Sequence, residues 1–430
     1  MTRRGRGTWY GWRAALAAGT GLVLAAACSA PGGEEAHPQR AGDSDTIKIG
    51  VLAPQTGAVA ASGQDMLNGW NLYFKEHGMK IAGKTVEIVD EDTAGDPATG
   101  LNKAQRLVES EGVDFIVGPL LSNVGLAVAE EMSRQDVPIF LPVVSADDLT
   151  QRERLPGVIR VAGWTSSQTT HPFGQWAYDQ GYRRIVTQCT DYAFGHETCG
   201  GFVNTFTDAG GTVVKQLWHP LGTQDFSTYM AQIKDTNADA AFVETVGAEG
   251  PKFVKAWSDF GLKGSLPLLG GETTLDQSLL RGMGDEAEGL VSVGHFAEGR
   301  ESPATQDFAA SYQDRYGKVP SYYSGAMYTA AQWLTQAIED VDGDLSNRKA
   351  FLEAVRGVSL EDSAMGPMRL DEYDSPVSNV YVRKVVKRDG GLVNVPTKTF
   401  PKVSQFWTYD PKEFLEQPVY SRGYQGTDAG

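Results

Sequence analysis

From Thr46 onward, short apolar runs of strand length are followed by longer segments whose apolar residues recur at helical spacing. IKIGVLAP predicts a strand that runs into the loop QTGAVAASGQD. Asp65 to His77 then predicts a helix, with Met66, Trp70, Leu72, Tyr73 and Phe74 available for one face. TVEIVDED predicts the next strand. Asp96-Pro97 opens a helix through Ala104 and Leu107 to Ser110, because aspartate caps the free N–H groups and proline suits the first turn. DFIVG, a helix through Met132 and the strand VPIFLP continue the alternation, which is the pattern of a doubly wound α/β domain.

The alternation restarts at GVIRVAG. It continues through a helix holding Phe173, Trp176 and Tyr178, the strand RRIVTQC, and a helix from about Glu197 to Ala209 that Gly210-Gly211 ends. TVVKQLWH, DFSTYMAQIKDT, DAAFVET, PKFVKAWSDFG and LPLLGG complete a second α/β unit of similar size. GLVSVGHF, the helix ATQDFAASYQDRYG, a long helix from about Tyr322 to Val341 and a shorter one near Lys349 to Val355 follow. The chain closes with the strand NVYVRKVVKRDG and an aromatic tail, KVSQFWTYDPKEFLEQPVYSRGYQ, expected to pack along the surface.

Two strand ends carry candidate chemistry. DFIVGPLLSN ends a buried strand in Gly118-Pro119 and offers the Ser122 hydroxyl where a helix begins and unpaired N–H groups collect. VPIFLPVVSA ends in Ser145 with the same logic. Together they predict a pocket for a small anion such as a carboxylate. Both serines could instead simply cap helices.

Length and charge narrow the class. A chain of 430 residues holds two domains of ordinary size, and 41% hydrophobic content is that of a soluble globular protein. No apolar run beyond residue 30 approaches a membrane span. A formal charge of −16 argues against nucleic acid as a partner. Enzyme signatures are missing: there is no HExxH, no phosphate-binding P-loop and no G-x-S-x-G elbow. His171, His196, His219 and His295 are scattered, so no catalytic residue, cofactor or metal site is assigned.

Residues 1–28 read as an export signal, with Arg3, Arg4, Arg6 and Arg13 ahead of AALAAGTGLVLAAA and small residues before Cys28. LVLAAAC followed by SAPGGEE resembles a bacterial lipoprotein signal, which implies lipidation of Cys28, although Ala25 stands where leucine is preferred. Ordinary cleavage nearby is the alternative. Residues 29–45 read as a flexible tether. An exported chain meets oxidising conditions, so Cys189 and Cys199 are expected to form a disulfide, with two buried thiols as the alternative.

With these features in place, several stretches are similar to a known family. IKIGVLAPQTGAVAASGQDMLNGWNL, DTAGDPATGLNKAQRLV, DFIVGPLLSN, DYAFGHE and TQDFSTYMAQIK resemble solute-binding proteins of ABC importers, in particular the branched-chain amino acid (leucine/isoleucine/valine) binding family. The resemblance implies a type I periplasmic-binding-protein fold: two doubly wound Rossmann-like lobes joined by three crossing strands, with ligand between them. Lobe one would comprise residues 46–162 plus 296–370, and lobe two residues 163–295 plus 371–424. The implied protein is a monomer, anchored to the outer face of the cytoplasmic membrane by Cys28, that hands a small-molecule ligand to an ABC permease and ATPase. A lipid-tethered sensor that signals to a membrane receptor is the alternative.

The resemblance also assigns a site. Ser122, Val143 and Ser145 match positions that hold a ligand carboxylate, and Glu272, in LPLLGGET, matches an acidic residue that pairs with an α-ammonium. A solvent-facing turn glutamate is the other reading of Glu272. Phe194 and Tyr323 match aromatic contacts, although either could belong to the core. Ser62 stands where close relatives carry an aromatic, and VETVGAEGP lacks a tyrosine found in several relatives. Those two losses predict a more open or more polar pocket. They leave the ligand as a branched-chain amino acid, a larger amino acid, an amide, urea or an aromatic acid.

Overall fold

Apolar runs near the start of the chain form strands that are buried on both faces, as parallel strands covered by helices must be. The computed structural model describes residues 44–388 and 390–426. Its first sheet contains β1 (Thr46–Ala53), β2 (Lys80–Ile81), β3 (Lys84–Asp92), β4 (Phe115–Val117), β5 (Ile139–Phe140) and β6 (Val158–Ile159), in the order β2-β3-β1-β4-β5-β6. All neighbours are parallel except β2 with β3. Because the order reverses at β1, its helices lie on both faces, which is the doubly wound arrangement.

The second sheet contains β7 (Arg184–Thr190), β8 (Thr212–His219), β9 (Ala240–Glu244), β10 (Leu268–Gly270), β11 (Val291–Gly294), β12 (Ser359–Leu360), β13 (Met368–Leu370), β14 (Pro376–Arg388) and β15 (Gly391–Val403). β7 to β11 are parallel, and an antiparallel extension, β14 with β13 and β15, joins at β11. One apolar cluster packs Phe253 and Trp257 on one face of this sheet, and another packs Phe173, Phe202 and Phe206 on the other. Phe202 stacks on Phe242 of β9 with ring centroids 4.3 Å apart. Each such fully buried large side chain stabilises the fold by about 1.5–3 kcal/mol. The chain passes between the sheets three times, after β6, after β11, and again between the helix Arg348–Gly357 and β14.

Helix Ala60–Glu76 packs along helix Tyr322–Glu339 in the core of the first sheet. Their close approach requires glycine at Gly69, where a Cβ would collide with the Ser324 backbone. The Asp96 carboxylate caps the helix Pro97–Glu109 through Thr99 N–H, as the sequence predicts.

Two elements differ from the sequence-based expectation. The first helix begins at Ala60 instead of Asp65, because Ser62 and Gly63 are buried helical residues too small to register as an apolar stripe. No strand was expected after Gly390, yet β15 pairs along the length of β14. Its Pro396 and Pro401 disguise it. Both fall at shifts in the β14–β15 register, where a missing N–H is tolerated. The aromatic tail packs on the second α/β unit, where Tyr420 Oη lies 2.8 Å from His171 Nε2. A disulfide links Cys189 on β7 to Cys199 in the helix Ala193–Asp208. Cys28 and the export signal lie outside the described residues. Among the described residues no helix is long and apolar enough to cross a membrane, and no group of three or more metal-ligating side chains occurs.

Candidate functional site

In an open parallel sheet, ligands bind beyond the carboxyl ends of the strands, where the loops diverge. Both sheets direct such ends to one narrow, tightly packed cavity. From the first sheet come Leu120, Leu121 and Ser122 after β4, and Val143 and Ser145 after β5. From the second come Tyr192 and Phe194 after β7, Val246 after β9 and Thr273 after β10. Tyr322 and Tyr323, at the start of helix Tyr322–Glu339, complete the wall. Three larger cavities occur elsewhere, one under the C-terminal tail beside Glu197, one beside Arg281 and Lys387, and one beside Asp371 and Tyr373. None gathers strand ends from both sheets.

The turn before Ser122 is shaped by Gly118, whose φ of +103° is open to glycine and whose Cβ would collide with the Leu52 carbonyl. Ser122 is the first residue of helix Ser122–Arg134, and Leu121 occupies the cap position. Among the described residues no partner takes the Ser122 hydroxyl, so it is not spent on capping. It faces the cavity beside the first N–H groups of the helix, which have no intrahelical carbonyl to reach.

Ser145 is held more firmly. The Ser166 hydroxyl lies 2.9 Å from Ser145 O and 3.0 Å from Ser145 Oγ, and 2.7 Å from a Glu197 carboxylate oxygen. The buried Arg160 guanidinium donates to the carbonyls on either side, Val144 O and Ala146 O. Burial lowers the Arg160 pKa to about 10, which still leaves it charged at neutral pH. This fixed backbone sets the direction of the Ser145 hydroxyl before any ligand arrives.

The aromatic wall is continuous. Tyr192 and Phe194 lie 5.9 Å apart, Phe194 meets Trp164 edge-on at 5.9 Å, and Tyr322 and Tyr323 are 4.0 Å apart. Burial raises the pKa of Tyr192, Tyr322 and Tyr323, so all three phenols are neutral. Neither Ser62 nor VETVGAEGP brings a ring to this wall. Tyr192 and Tyr322 supply rings from other positions.

Two expected site residues sit elsewhere. Glu272 is fully buried behind the wall, not on it. Arg383 Nη1 donates to one of its oxygens at 2.8 Å, while His295 N and Nδ1 lie 2.6 and 2.8 Å from the other. Burial pushes this carboxyl up, but Arg383 and then His295 outweigh burial and hold it below the usual range. Its charge is thus satisfied within the protein by Arg383 and His295. Thr273, the next residue, faces the cavity instead. Ser62 is buried, with its hydroxyl 3.2 Å from Ser278 Oγ, and joins the two α/β units beside the cavity. Asp65, one turn on, reinforces that junction through Arg281 at 2.8 Å and pairs with Lys318 of its own unit at 2.6 Å.

The periplasmic binding protein family profile matches residues 46–391. The chain belongs to this family. Among periplasmic binding proteins, Leu/Ile/Val-binding protein homolog 6 of Brucella abortus (strain 2308) is 32% identical over 368 residues, 84% of this chain and 93% of the relative. An ABC transporter solute-binding protein from Rhodopseudomonas palustris BisB5, solved in complex with 3,4-dihydroxybenzoic acid, is 30% identical. It aligns with a TM-score of 0.80 over 84% of this chain and 99% of its own. A second R. palustris protein, solved with 4-hydroxybenzoate, is 31% identical with a TM-score of 0.79 over 84% and 98%. The fold is that of a type I periplasmic binding protein, and the chain is a substrate-binding protein of the ABC transporter class.

In this binding protein the structure brings Ser122, Val143, Ser145, Phe194 and Tyr323 to one cavity. Sequence reading missed Leu120, Leu121, Tyr192, Val246, Thr273 and Tyr322. Each lies within a few residues of a strand end or at a helix start, which is the signal that could have found them.

Proposed function

We propose that this binding protein captures a small monocarboxylate with an aromatic body and delivers it to an ABC permease and its ATPase. One observation carries the reading. Among the described residues, the cavity wall offers serine hydroxyls, a helix N-terminus and aromatic rings, but no charged side chain. A carboxylate needs only donors there. The ammonium of an α-amino acid would be buried without a counter-charge, which is costly. A branched-chain amino acid is the second reading, favoured by the name of the Brucella relative and by the aliphatic lining of Leu120, Leu121, Val143 and Val246.

A thermal-shift panel separates the two. Benzoate and hydroxybenzoates are expected to raise the melting temperature by a few degrees, since a hundredfold excess over Kd adds ~2.7 kcal/mol. Leucine, isoleucine, simple amides and urea are expected to leave it unmoved. A shift with leucine and none with benzoate would reverse the order, and silence across the panel would count against a small-solute receptor.

Capture is read as closure of two lobes, residues 46–162 plus 296–370 and residues 163–295 plus 371–424, about the three crossings. The protein is exported and works as a monomer held at the outer face of the cytoplasmic membrane by lipid on Cys28. Cys28→Ala is expected to move it from the membrane fraction to the soluble fraction and to abolish incorporation of labelled fatty acid. A soluble, unlabelled wild type would favour ordinary cleavage. Loss of ligand uptake on gene deletion supports transport, whereas intact uptake with a lost response supports a tethered sensor.

A further inference from the structure

Behind Thr273 lies a second buried carboxyl that the site described so far does not use. Glu244 ends β9 and is fully buried. Thr273 Oγ1 stands 2.6 Å from Thr245 O and 2.5 Å from Glu244 Oε1. Both are acceptors within reach of the single Thr273 hydroxyl proton, which cannot fully serve the two. With that proton on the carbonyl, which can only accept, a neutral Glu244 would supply the second proton. Thr274 supplies no proton to Glu244 in this arrangement. Its hydroxyl accepts from Thr245 N at 3.0 Å and lies 3.0 Å from Val243 O, which takes its proton, so nothing remains for Glu244 Oε1 at 3.3 Å. Glu244 Oε2 is buried without a hydrogen-bond partner.

The charged and titratable groups around Glu244 offer no free cation. Glu272, on the turn after β10, is already paired with Arg383 of β14 and His295. Glu249, at the start of the helix Glu249–Asp259, lies 3.1 Å from His219 of β8, and Thr190 of β7 joins that pair and the Glu244 carbonyl. Tyr192 and Tyr323 face Glu244 from the cavity side as neutral phenols. Burial raises the Glu244 carboxyl to about 8, helped by the nearby Glu272 charge and opposed by the hydrogen bonds of Thr273 and Thr274.

We propose that Glu244 is a proton-bearing positioning residue: by donating to Thr273 it turns that hydroxyl into an acceptor for a hydroxyl group on the ligand, opposite the Ser122 and Ser145 end. Thr273 donates to Thr245 O, accepts from Glu244 and keeps one lone pair for the cavity it lines. The ligand class this selects is a hydroxy-substituted aromatic monocarboxylate. Loss of the Glu244 proton would set a negative charge directly behind the wall and expel an anionic ligand. This rests on the reading of the cavity as a carboxylate site.

Two measurements on the full chain test it. The first needs no ligand. The infrared difference between wild type and Glu244→Gln near pH 6 should contain the carbonyl band of a protonated carboxyl, fading as pH rises through about 8. The second is calorimetric titration. Wild type should bind benzoate about tenfold more weakly at pH 9 than at pH 7, the loss of the protonated fraction expected for such a group. The Gln variant, which is always neutral, should give a flat profile. At pH 7 wild type should prefer 4-hydroxybenzoate to benzoate by about tenfold, the worth of one hydrogen bond, and Thr273→Val should erase the preference. No infrared band, a flat wild-type profile, or an equal fall in the Gln variant would overturn the proposal. A titrating band in a protein that binds neither acid would uphold the proton on Glu244 and overturn its ligand role together with the aromatic-acid reading.

Discussion

Replacing Ser122 and Ser145 together with alanine is expected to cut affinity for a carboxylate ligand by about 10²-fold to 10⁴-fold, because each hydroxyl gives a hydrogen bond to a charged group worth about 1.5–3 kcal/mol. The fold should survive. Ser122 has no hydrogen bond to lose among the described residues, and its neighbours on the wall are side chains that alanine leaves in place. Ser145 loses the 3.0 Å contact with Ser166, a cost of about 1 kcal/mol, while Arg160 still braces the carbonyls on either side. Ser122→Ala alone therefore separates affinity from stability most cleanly. Calorimetric titration of the variants, with melting temperatures recorded alongside, checks this. Unchanged affinity would remove both serines from the site.

The strand-end logic explains how much of this site was legible in the sequence. An apolar run followed by a small polar residue at a helix start identifies a carboxyl-end loop and pointed to Ser122 and Ser145, while the family resemblance pointed to Val143 and Phe194; all four line the cavity. Alternation of strand and helix likewise gave the two α/β units, and the family resemblance supplied their connection. The partner that Glu272 finds in the fold lies far along the chain. Arg383 follows it by 111 residues, on a strand that joins the sheet antiparallel, and no local pattern announces the ion pair. In the tight turn after β10, Thr273 lines the cavity and Glu272 does not. The aromatic losses were real at two positions, but Tyr192 and Tyr322 restore the rings through contacts that only folding creates.

Arg383→Met is expected to destabilise the protein by about 3–5 kcal/mol, the cost of leaving a buried carboxylate without its partner. Arg383 is buried and places every donor: Nη1 on Glu272 Oε1 and Phe296 O, both at 2.8 Å, Nη2 on Glu272 O and Val293 O at 3.1 and 3.0 Å, and Nε on Ser292 Oγ at 3.2 Å. These bonds tie the turn after β10 to β11 and β14, and so fix the turn that presents Thr273 to the cavity. Adding Glu272→Gln to the variant should recover part of the loss by removing the stranded charge, although the bonds from Arg383 to the carbonyls of Glu272, Phe296 and Val293 stay lost. The pH dependence has a definite sign. A carboxyl held below its ordinary range contributes stability that is present above the unfolded pKa of about 4.3 and is lost as pH falls through the folded value. The gap between wild type and Arg383→Met should therefore be widest near neutrality and narrow under acid, as urea unfolding at pH 7 and pH 4 would record. Glu272→Gln alone should likewise lower stability more than it alters ligand discrimination. Selective loss of leucine binding in a variant that melts like wild type would instead return Glu272 to the ammonium-pairing role that the family resemblance implies, and the turn would have to open to reach the ligand.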